Sequence, residues 1–451
     1  MNKKTQELLE KIGKLADKLS VEVYAVGGFV RDMILERDCI DIDFVVVGDG
    51  PAFTQEVAKM LNVKNVVLYE QFQTAFIPYK EFKIEFVSAR SESYAKDSRK
   101  PSVEVADLKS DILRRDFTIN AMALCLNKDN FGEIVDMLGG KEDLEKGLIR
   151  TPLDPLETFS DDPLRIMRAI RFASQLDFKI EKETYNAIER VVDRLDIISM
   201  ERIRDEFLKI MASKKPSVGL WLLYDTKILY KILPEVVELY GVDEVDGRRH
   251  KNNMSHTFQV VDQLAEMSDK IELRLAALFH DIGKPQTKEF LKGKGWTFHN
   301  HEFVGSKMIR PIFTRMKFTK DHSKYVTKLV RLHMRPVSLT EKTVTDSGIR
   351  RLIVKAGDDL EDLMKLAHAD ITSKNPKRVA RNKKKFVQVQ ERIVEVEEKD
   401  ALRAFQSPVR GEEIMEIAGL KPGREVGVLK KAIEEAILEG DIPNEYEAAK
   451  E

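Results

Sequence analysis

The sequence predicts an α+β protein in which an α/β opening gives way to helices, and three observations lead there. Short runs rich in β-branched residues alternate with helical stretches over roughly the first 90 residues. From about Pro155 onward apolar residues recur at helical spacing almost without interruption. A chain of 451 residues also exceeds what one core accommodates, so two to four domains are expected at roughly 100–200 residues each.

The elements follow in order. MNKKTQELLEKIGKLADKL reads as an amphipathic helix; it is charged throughout, unlike a secretion signal, and a cytoplasmic location is expected. VEVYAVGG and CIDIDFVVVG read as strands, 53–61 as a helix, and VVLY, TAFIPY and FKIEFVSA as further strands. The stretch from Ser91 to Asp111 lacks periodicity, contains Arg99, Lys100 and Pro101, and is expected to be a mobile loop. DPLRIMRAIRFASQL, ERIRDEFLKIMA, HTFQVVDQLAEM and ELRLAALFHDIG read as helices, and the carboxy-terminal region as helix, GLKPG turn, helix.

Composition narrows the chemistry. No apolar run approaches the ~20 residues of a membrane span, so no membrane partner is expected. Cys39 and Cys125 are too few for a disulfide framework or a thiolate metal cluster. With 75 basic and 76 acidic residues, any nucleic-acid surface must be local. The best local candidate is SKNPKRVARNKKKF, with Lys377, Arg378, Arg381, Lys383, Lys384 and Lys385; a solvated helix face is the alternative.

One strand carries the first chemical signal. Asp41 and Asp43 alternate with Ile42 and Phe44, so two carboxylates share one strand face, an arrangement that repels itself unless hard cations neutralise it. Glu85 in FKIEFV is a candidate third carboxylate. Gly27 and Gly28 end a strand before a helix, where backbone amides can approach phosphate, and Arg31 adds charge. Together these suit metal-assisted phosphoryl transfer.

GGFVRD and DIDF resemble the opening motif of the nucleotidyltransferase branch that holds bacterial CCA-adding enzymes and poly(A) polymerases. RRDFTINAMAL resembles that branch's second motif, which implies ribose and triphosphate contacts for Arg115, Asp116 and Asn120. DMLGGKEDL resembles its hinge motif, and MERIRDEFLKIM, with Glu201, Arg202, Glu206 and Lys209, its neck-closing motif. DDPLRIMRAIRF resembles the base-selecting motif, with Asp161 where the family commonly has Glu, and adds Asp162, Arg165, Arg168 and Arg171 as nucleotide-binding candidates. On one helix Asp162 and Arg165 would share a face; a carboxylate accepting an exocyclic amine and a guanidinium donating to a ring nitrogen favour cytosine and adenine over uracil and guanine.

His256, the adjacent His280 and Asp281, and then Asp370 resemble the ordered ligands of HD phosphohydrolases, and His301 and His333 match positions some members use around a second metal. The resemblance implies a nucleotidyltransferase-type head with a mixed sheet (1–150), an all-helical neck binding base and RNA (151–240), an HD domain (241–375) and a helical tail (376–451) in which Lys421, Arg424, Lys430 and Lys431 are candidate RNA contacts. It implies CCA addition to tRNA from CTP and ATP, with Mg²⁺ at Asp41 and Asp43, and a second divalent metal serving hydrolysis of a 2′,3′-cyclic phosphate or 2′-phosphate. The nearest alternatives are a CC-adding enzyme, an A-adding enzyme and a poly(A) polymerase. The presence of 91–111 speaks against the first, and DFVVVG is closer to CCA-adding enzymes than to poly(A) polymerases. An HD phosphohydrolase with a merely RNA-binding head is the alternative of another class, and it leaves Asp41, Asp43, Glu85, Asp162 and Arg165 without a purpose.

Overall fold

Ile42, Phe44 and Val46 alternate along one strand, and in the computed structural model all three are fully buried while Asp41 and Asp43 between them stay exposed. The structure describes residues 2–69, 73–93, 102–245, 247–249, 252–341, 345–372, 375–400 and 408–451. The chain divides into two units, one of Met1–Ile210 with Trp221–Ile228, the other of Met211–Leu220 with Leu229–Glu451.

The first unit holds a seven-stranded sheet: β1 (Glu22–Val26), β2 (Asp41–Val47), β3 (Val67–Tyr69), β4 (Thr74–Tyr79), β5 (Phe82–Ser88), β6 (Ala123–Cys125) and β7 (Ile134–Val135). Their order is β3-β4-β5-β2-β1-β6-β7. Only β2 and β5 pair in parallel, in a register that sets Asp43 opposite Glu85; the neighbouring pairs are antiparallel, so the sheet is mixed as expected. On one face the buried Ile42 and Phe44 meet Ile84 and Phe86, with the rings of Phe44 and Phe86 stacked at 4.7 Å and Phe53 edge-on to Phe86 at 5.6 Å.

The other face is split. Its far half is covered, because Val45 packs with Val26, Ala89, Leu108, Ile112 and Ala123. Its near half carries the aspartates.

The helices of this unit include α1 (Lys3–Lys18), α2 (Gly28–Ile34), α3 (Gly50–Leu61), α4 (Leu108–Leu113), α5 (Gly140–Lys146), α6 (Pro155–Asp161), α7 (Leu164–Leu176), α8 (Lys182–Val191) and α9 (Met200–Met211). The loop expected over 91–111 is largely ordered structure. Arg90–Ser93 and Ser102–Val105 form an antiparallel ribbon and α4 begins at Leu108, while 94–101 lie outside the described residues. Alternating Ser and Glu or Val give a ribbon too short for a periodicity signal. The region after 150 is helical apart from short strand pairs such as Leu148–Ile149 with Lys179–Ile180.

The second unit is built on α10 (Asn253–Met267), α11 (Ile271–Phe279), α12 (His301–Arg315), α13 (Lys320–Leu332), α14 (Met334–Glu341), α15 (Asp346–Ala356), α16 (Leu360–Asp370) and α17 (Pro376–Asp400), then α18 (Gly411–Ala418), α19 (Arg424–Glu439) and α20 (Tyr446–Lys450). α11 is apolar nearly all round and lies fully buried from Leu273 to Phe279. α18 and α19, joined through GLKPG, match the expected carboxy-terminal pair. No described helix is long and apolar enough to cross a membrane.

Two candidate active sites

In the first unit β2 supplies Asp41 and Asp43, and β5 brings Glu85 alongside Asp43. Crowding by the surrounding protein, and then the charge of Asp41, raise the Asp43 carboxyl above its ordinary value, against the pull of Arg115 and Arg168. Desolvation, followed by the charges of Asp43 and Asp41, raises Glu85 likewise. The three carboxylates thus form a field that favours a cation. Two aspartates supply only part of a divalent metal's shell, leaving positions for phosphate and water.

Gly27 closes the end of β1 with φ at +72°. A Cβ there would lie 3.1 Å from Nη1 of Arg115 and 3.7 Å from Oδ2 of Asp43, so the glycine lets an arginine and a strand carboxylate converge. Arg115 is aimed by a residue that sequence reasoning left without a role. Asp111, fully buried on α4, accepts from Nη2 of Arg115 at 2.8 Å through Oδ2 and from Nε of Arg114 at 3.0 Å through Oδ1. Burial pushes this carboxyl up, but the two guanidinium groups outweigh it and hold it low. The spacing of Asp111 to Arg114 and Arg115, one helical turn, was the available signal.

Beside them lies an arginine cluster around one ring. The guanidinium carbons of Arg171, Arg31 and Arg168 sit 4.1, 5.0 and 5.4 Å from the ring centre of Phe172. Each has a carboxylate partner: Arg31 bonds Asp32 at 2.8 Å, Arg168 donates from Nε to Asp116 at 2.7 Å, and Arg171 pairs with Glu206 at 2.9 Å. Nη1 of Arg31 also donates to Asn120 at 2.7 Å, whose amide donates to Asp116 at 3.1 Å. Burial works against the charge on Asp116, yet Arg168 and Asn120 hold it at about 2. Burial and the neighbouring Arg168 bring Arg171 down to about 10. Arg115, Asp116, Asn120, Arg31, Arg168 and Arg171 therefore meet in one unit, and the neck-closing Glu206 joins them.

The expected pairing of Asp162 with Arg165 on one helix is not what forms. Pro163 disfavours helical backbone in the residue before it, so α6 ends at Asp161 and Asp162 is extended, with φ −133° and ψ 98°. Its Oδ1 accepts the amide of Leu164 at 3.1 Å and its Oδ2 lies 3.5 Å from Nη2 of Arg202. Arg165 instead donates to main-chain carbonyls, to Arg114 at 2.6 Å and Thr158 at 3.3 Å. Asp161 closes α6, half-buried. In the hinge motif Asp136 accepts the amides of Gly140 at 2.8 Å and Lys141 at 2.9 Å, capping α5.

The second unit gathers all six expected ligands. His256 lies on α10, His280 and Asp281 just past the end of α11, His301 at the start of α12, His333 just past α13 and Asp370 at the end of α16. They form two three-donor groups, His256–His280–Asp370 and Asp281–His301–His333. Asp281 spans both: Oδ2 lies 3.2 Å from Nε2 of His280, and Oδ1 lies 3.4 Å from Nε2 of His301. Nε2 of His256 is 2.9 Å from Asp370, and Nε2 of His301 is 3.2 Å from Nε2 of His333.

Nδ1 of His280, His301 and His333 faces the carbonyls of Ala277, Phe298 and Val330 at 2.7, 2.8 and 2.7 Å, and Nδ1 of His256 faces the Thr372 hydroxyl at 2.8 Å. A carbonyl at Nδ1 selects the tautomer whose Nε2 carries a lone pair. Burial lowers His301 and takes His333 to about 3, so both rings are neutral donors. Nε2 of His280 is buried without a hydrogen bond of acceptable geometry. Mixed imidazole and carboxylate donors with one shared carboxylate fit two divalent ions. Lys284, one turn past Asp281 and bonded to its Oδ2, is a neighbour the sequence reading passed over.

Paired strand carboxylates beside an arginine cluster in one unit, and clustered imidazole and carboxylate donors in the other, place the chain beside proteins that join a polymerase-type head to an HD domain. The Poly A polymerase head domain matches residues 23–150, the model described as probable RNA and SrmB- binding site of polymerase A matches 177–239, and the HD domain matches 253–373. The multifunctional CCA protein of Vibrio parahaemolyticus is 30% identical over 78% of this chain and 85% of its own length. The chain belongs to the poly(A) polymerase/tRNA nucleotidyltransferase family. The A-adding tRNA nucleotidyltransferase of Geobacter sulfurreducens is 38% identical over 53% of this chain, and the match spans only 28% of that relative's length. A structure described as CCA-adding enzyme apo form II shares the fold, with a TM-score of 0.65 at 23% identity over 97% of this chain and 93% of the other.

Proposed function

We propose that the protein completes the 3′ ends of tRNA in the cytoplasm, adding C, C and A from CTP and ATP without a template, and that its HD centre hydrolyses a phosphate ester. The observation that carries the first part is the register of β2 on β5, which gathers Asp41, Asp43 and Glu85 at the edge of the arginine cluster. The division into a head over 1–150, a neck over 151–240, an HD domain over 241–375 and a tail beyond belongs to the same reading.

In nucleotidyl transfer the RNA 3′ hydroxyl attacks the α-phosphorus of the nucleotide, a new P–O bond forms and pyrophosphate leaves. Asp41 and Asp43 would hold Mg²⁺, which would supply activation of that hydroxyl and neutralisation of charge on the triphosphate. Arg115, held by Asp111 and lying against Gly27, meets the phosphates where they approach Asp43. Arg31, Arg168 and Arg171 draw the triphosphate tail toward the cluster around Phe172, and Asn120 fixes the orientation of Arg31. Asp162 and Arg165 select the base once Arg165 leaves its main-chain carbonyls, since a carboxylate and a guanidinium complement the Watson–Crick edges of both C and A.

The test is extension of tRNA transcripts ending before C, after C and after CC, each with Mg²⁺ and CTP, ATP or both. Completion of all three to CCA, with UTP and GTP ignored, is the expected result. A single A added only to the CC-ended transcript makes the protein an A-adding enzyme, and long A tails make it a poly(A) polymerase.

For the HD centre, His256, His280, Asp370, Asp281, His301 and His333 would hold divalent ions, which supply a hydroxide at neutral pH. The chemistry suits a 2′,3′-cyclic phosphate or 2′-phosphate on a damaged RNA end. Loss of that hydrolysis in His280→Ala with nucleotide addition retained is the expected outcome.

A further inference from the structure

Of the six HD residues, His301 borders a hollow of about 280 Å³ that is also lined by His299, Glu302, Arg331 and Arg335. Arg331 and Arg335 are four residues apart, where α13 passes into α14. Arg331 donates to Glu302 at 3.1 Å and lies over the ring of Phe303 at 4.7 Å. Arg335 is exposed and, among the described residues, has no acidic partner at ion-pair distance.

Four residues apart on α15, which packs against α13 and α14, are Arg351 and Lys355. Burial, and then repulsion from Arg335, Arg351 and Arg331 in turn, lower the Lys355 ammonium, so the four cations share one electrostatic neighbourhood. Arg351 pairs with Glu439, and Glu435 pulls Lys355 the other way, but no carboxylate among the described residues pairs with Lys355 at ion-pair distance. Arg351 and Lys355 also line an open groove of about 1070 Å³ between α15 and the α18–α19 pair, to which Arg410, Lys430 and Lys431 contribute, with Glu412, Glu434 and Glu435 among them. The chain as a whole carries a net charge of −1. Gathering cations in one neighbourhood within such a protein is unfavourable unless a polyanion lies against them.

We propose that this strip, from Arg331 and Arg335 at the HD mouth to Lys355 and Arg351 in the groove, is the track for a polynucleotide strand whose terminal phosphate ester reaches the HD clusters. The HD substrate is then a phosphate-ended RNA strand and not a free mononucleotide, an inference that rests on the HD centre being a phosphohydrolase. In the reaction water adds to phosphorus, the P–O bond to the terminal ribose oxygen breaks, and that oxygen takes a proton. Internal phosphates along the track hold the strand while its end reacts.

The experiment compares the Mn²⁺-loaded full chain on cytidine 2′,3′-cyclic phosphate and on an RNA octamer ending in the same group, over a range of salt. Binding of a 5′-fluorescein octamer ending in a 3′-phosphate is followed in parallel by anisotropy. The octamer is expected to exceed the mononucleotide in kcat/KM by about tenfold or more at low salt, an advantage that shrinks as salt rises. Lys355→Gln should raise the octamer's KM with little change in kcat and lower the slope of log affinity against log salt by about 0.7, the share of one phosphate on a single strand. Lys355→Arg should restore both. Equal kcat/KM for the two substrates, or octamer binding and salt slope that Lys355→Gln leaves unmoved, overturns the track. Binding that depends on Lys355 with neither substrate hydrolysed overturns the phosphohydrolase reading and leaves the track in place.

Discussion

Asp43 and Asp116 are both carboxylates of the head, and their surroundings push them in opposite directions. Asp43 has its pKa raised in the folded state. Its ionised form is therefore unfavourable to folding at neutral pH, a penalty that vanishes below the unfolded value near 4. Asp43→Asn should abolish nucleotide addition yet raise Tm by roughly 1–3 °C at pH 7–8 without divalent metal, with the gain gone near pH 4. A Tm unchanged or lowered at pH 8 would show that the carboxylate cluster is not under strain. Asp116, held at about 2, behaves in reverse. Its contribution is present above the unfolded value near 4 and is lost as pH falls through 2, so Asp116→Asn should cost on the order of 2 kcal/mol at pH 7 and much less at pH 2. Thermal melts at the two pH values measure this. Asp41, Asp43 and Glu85 were legible in the sequence because alternation along a strand is local. Asp111 as the anchor of Arg115 was less so, since it stood at the end of a stretch read as loop.

At the level of elements, β1 to β5 and most helices could be read from periodicity, while β6, β7 and the ribbon of Arg90–Ser93 with Ser102–Val105 are too short to carry a pattern, and other errors fall where one residue interrupts one. Pro163 cuts one helical run into α6 and α7, which removes Asp162 from the face of Arg165. The HD dipeptide lies just past α11, a helix buried on all sides from Leu273 to Phe279. Gly283 shows how tightly that turn is held. A Cβ there would lie 2.3 Å from the carbonyl of His301 and 2.6 Å from the amide of Gly305, both backbone atoms of α12. Gly283→Ala must push α12 away from Asp281, at a cost of about 1–3 kcal/mol. Metal content measured after dialysis should fall well below that of the unaltered protein while far-ultraviolet circular dichroism stays the same. Full metal retention would show that the turn tolerates the displacement.

Over the whole molecule, the two centres fall in separate units, and each unit supplies its own set of residues. Asp41→Ala with Asp43→Ala should remove nucleotide addition and spare phosphate-ester hydrolysis, and His280→Ala with Asp281→Ala should do the reverse. Assays of both reactions on both variants check this, and loss of both activities in either variant would mean that the centres work as one. The order of the motifs made the two centres legible from sequence, whereas the basic strip beside the HD mouth was not. Its four cations come from α13, α14 and α15, and only the packing of these helices brings them together.

The arginine cluster around Phe172 has a consequence for turnover. Arg31, Arg168 and Arg171 each have an internal carboxylate, Asp32, Asp116 and Glu206, already in contact. In the proposed reaction these carboxylates stand in for the triphosphate between cycles, so departing pyrophosphate strands no buried charge. They also compete with every nucleotide that arrives, which tempers affinity and shortens the stay of the product. An enzyme that must add several nucleotides in succession gains more from a pocket that empties readily than from one that holds fast.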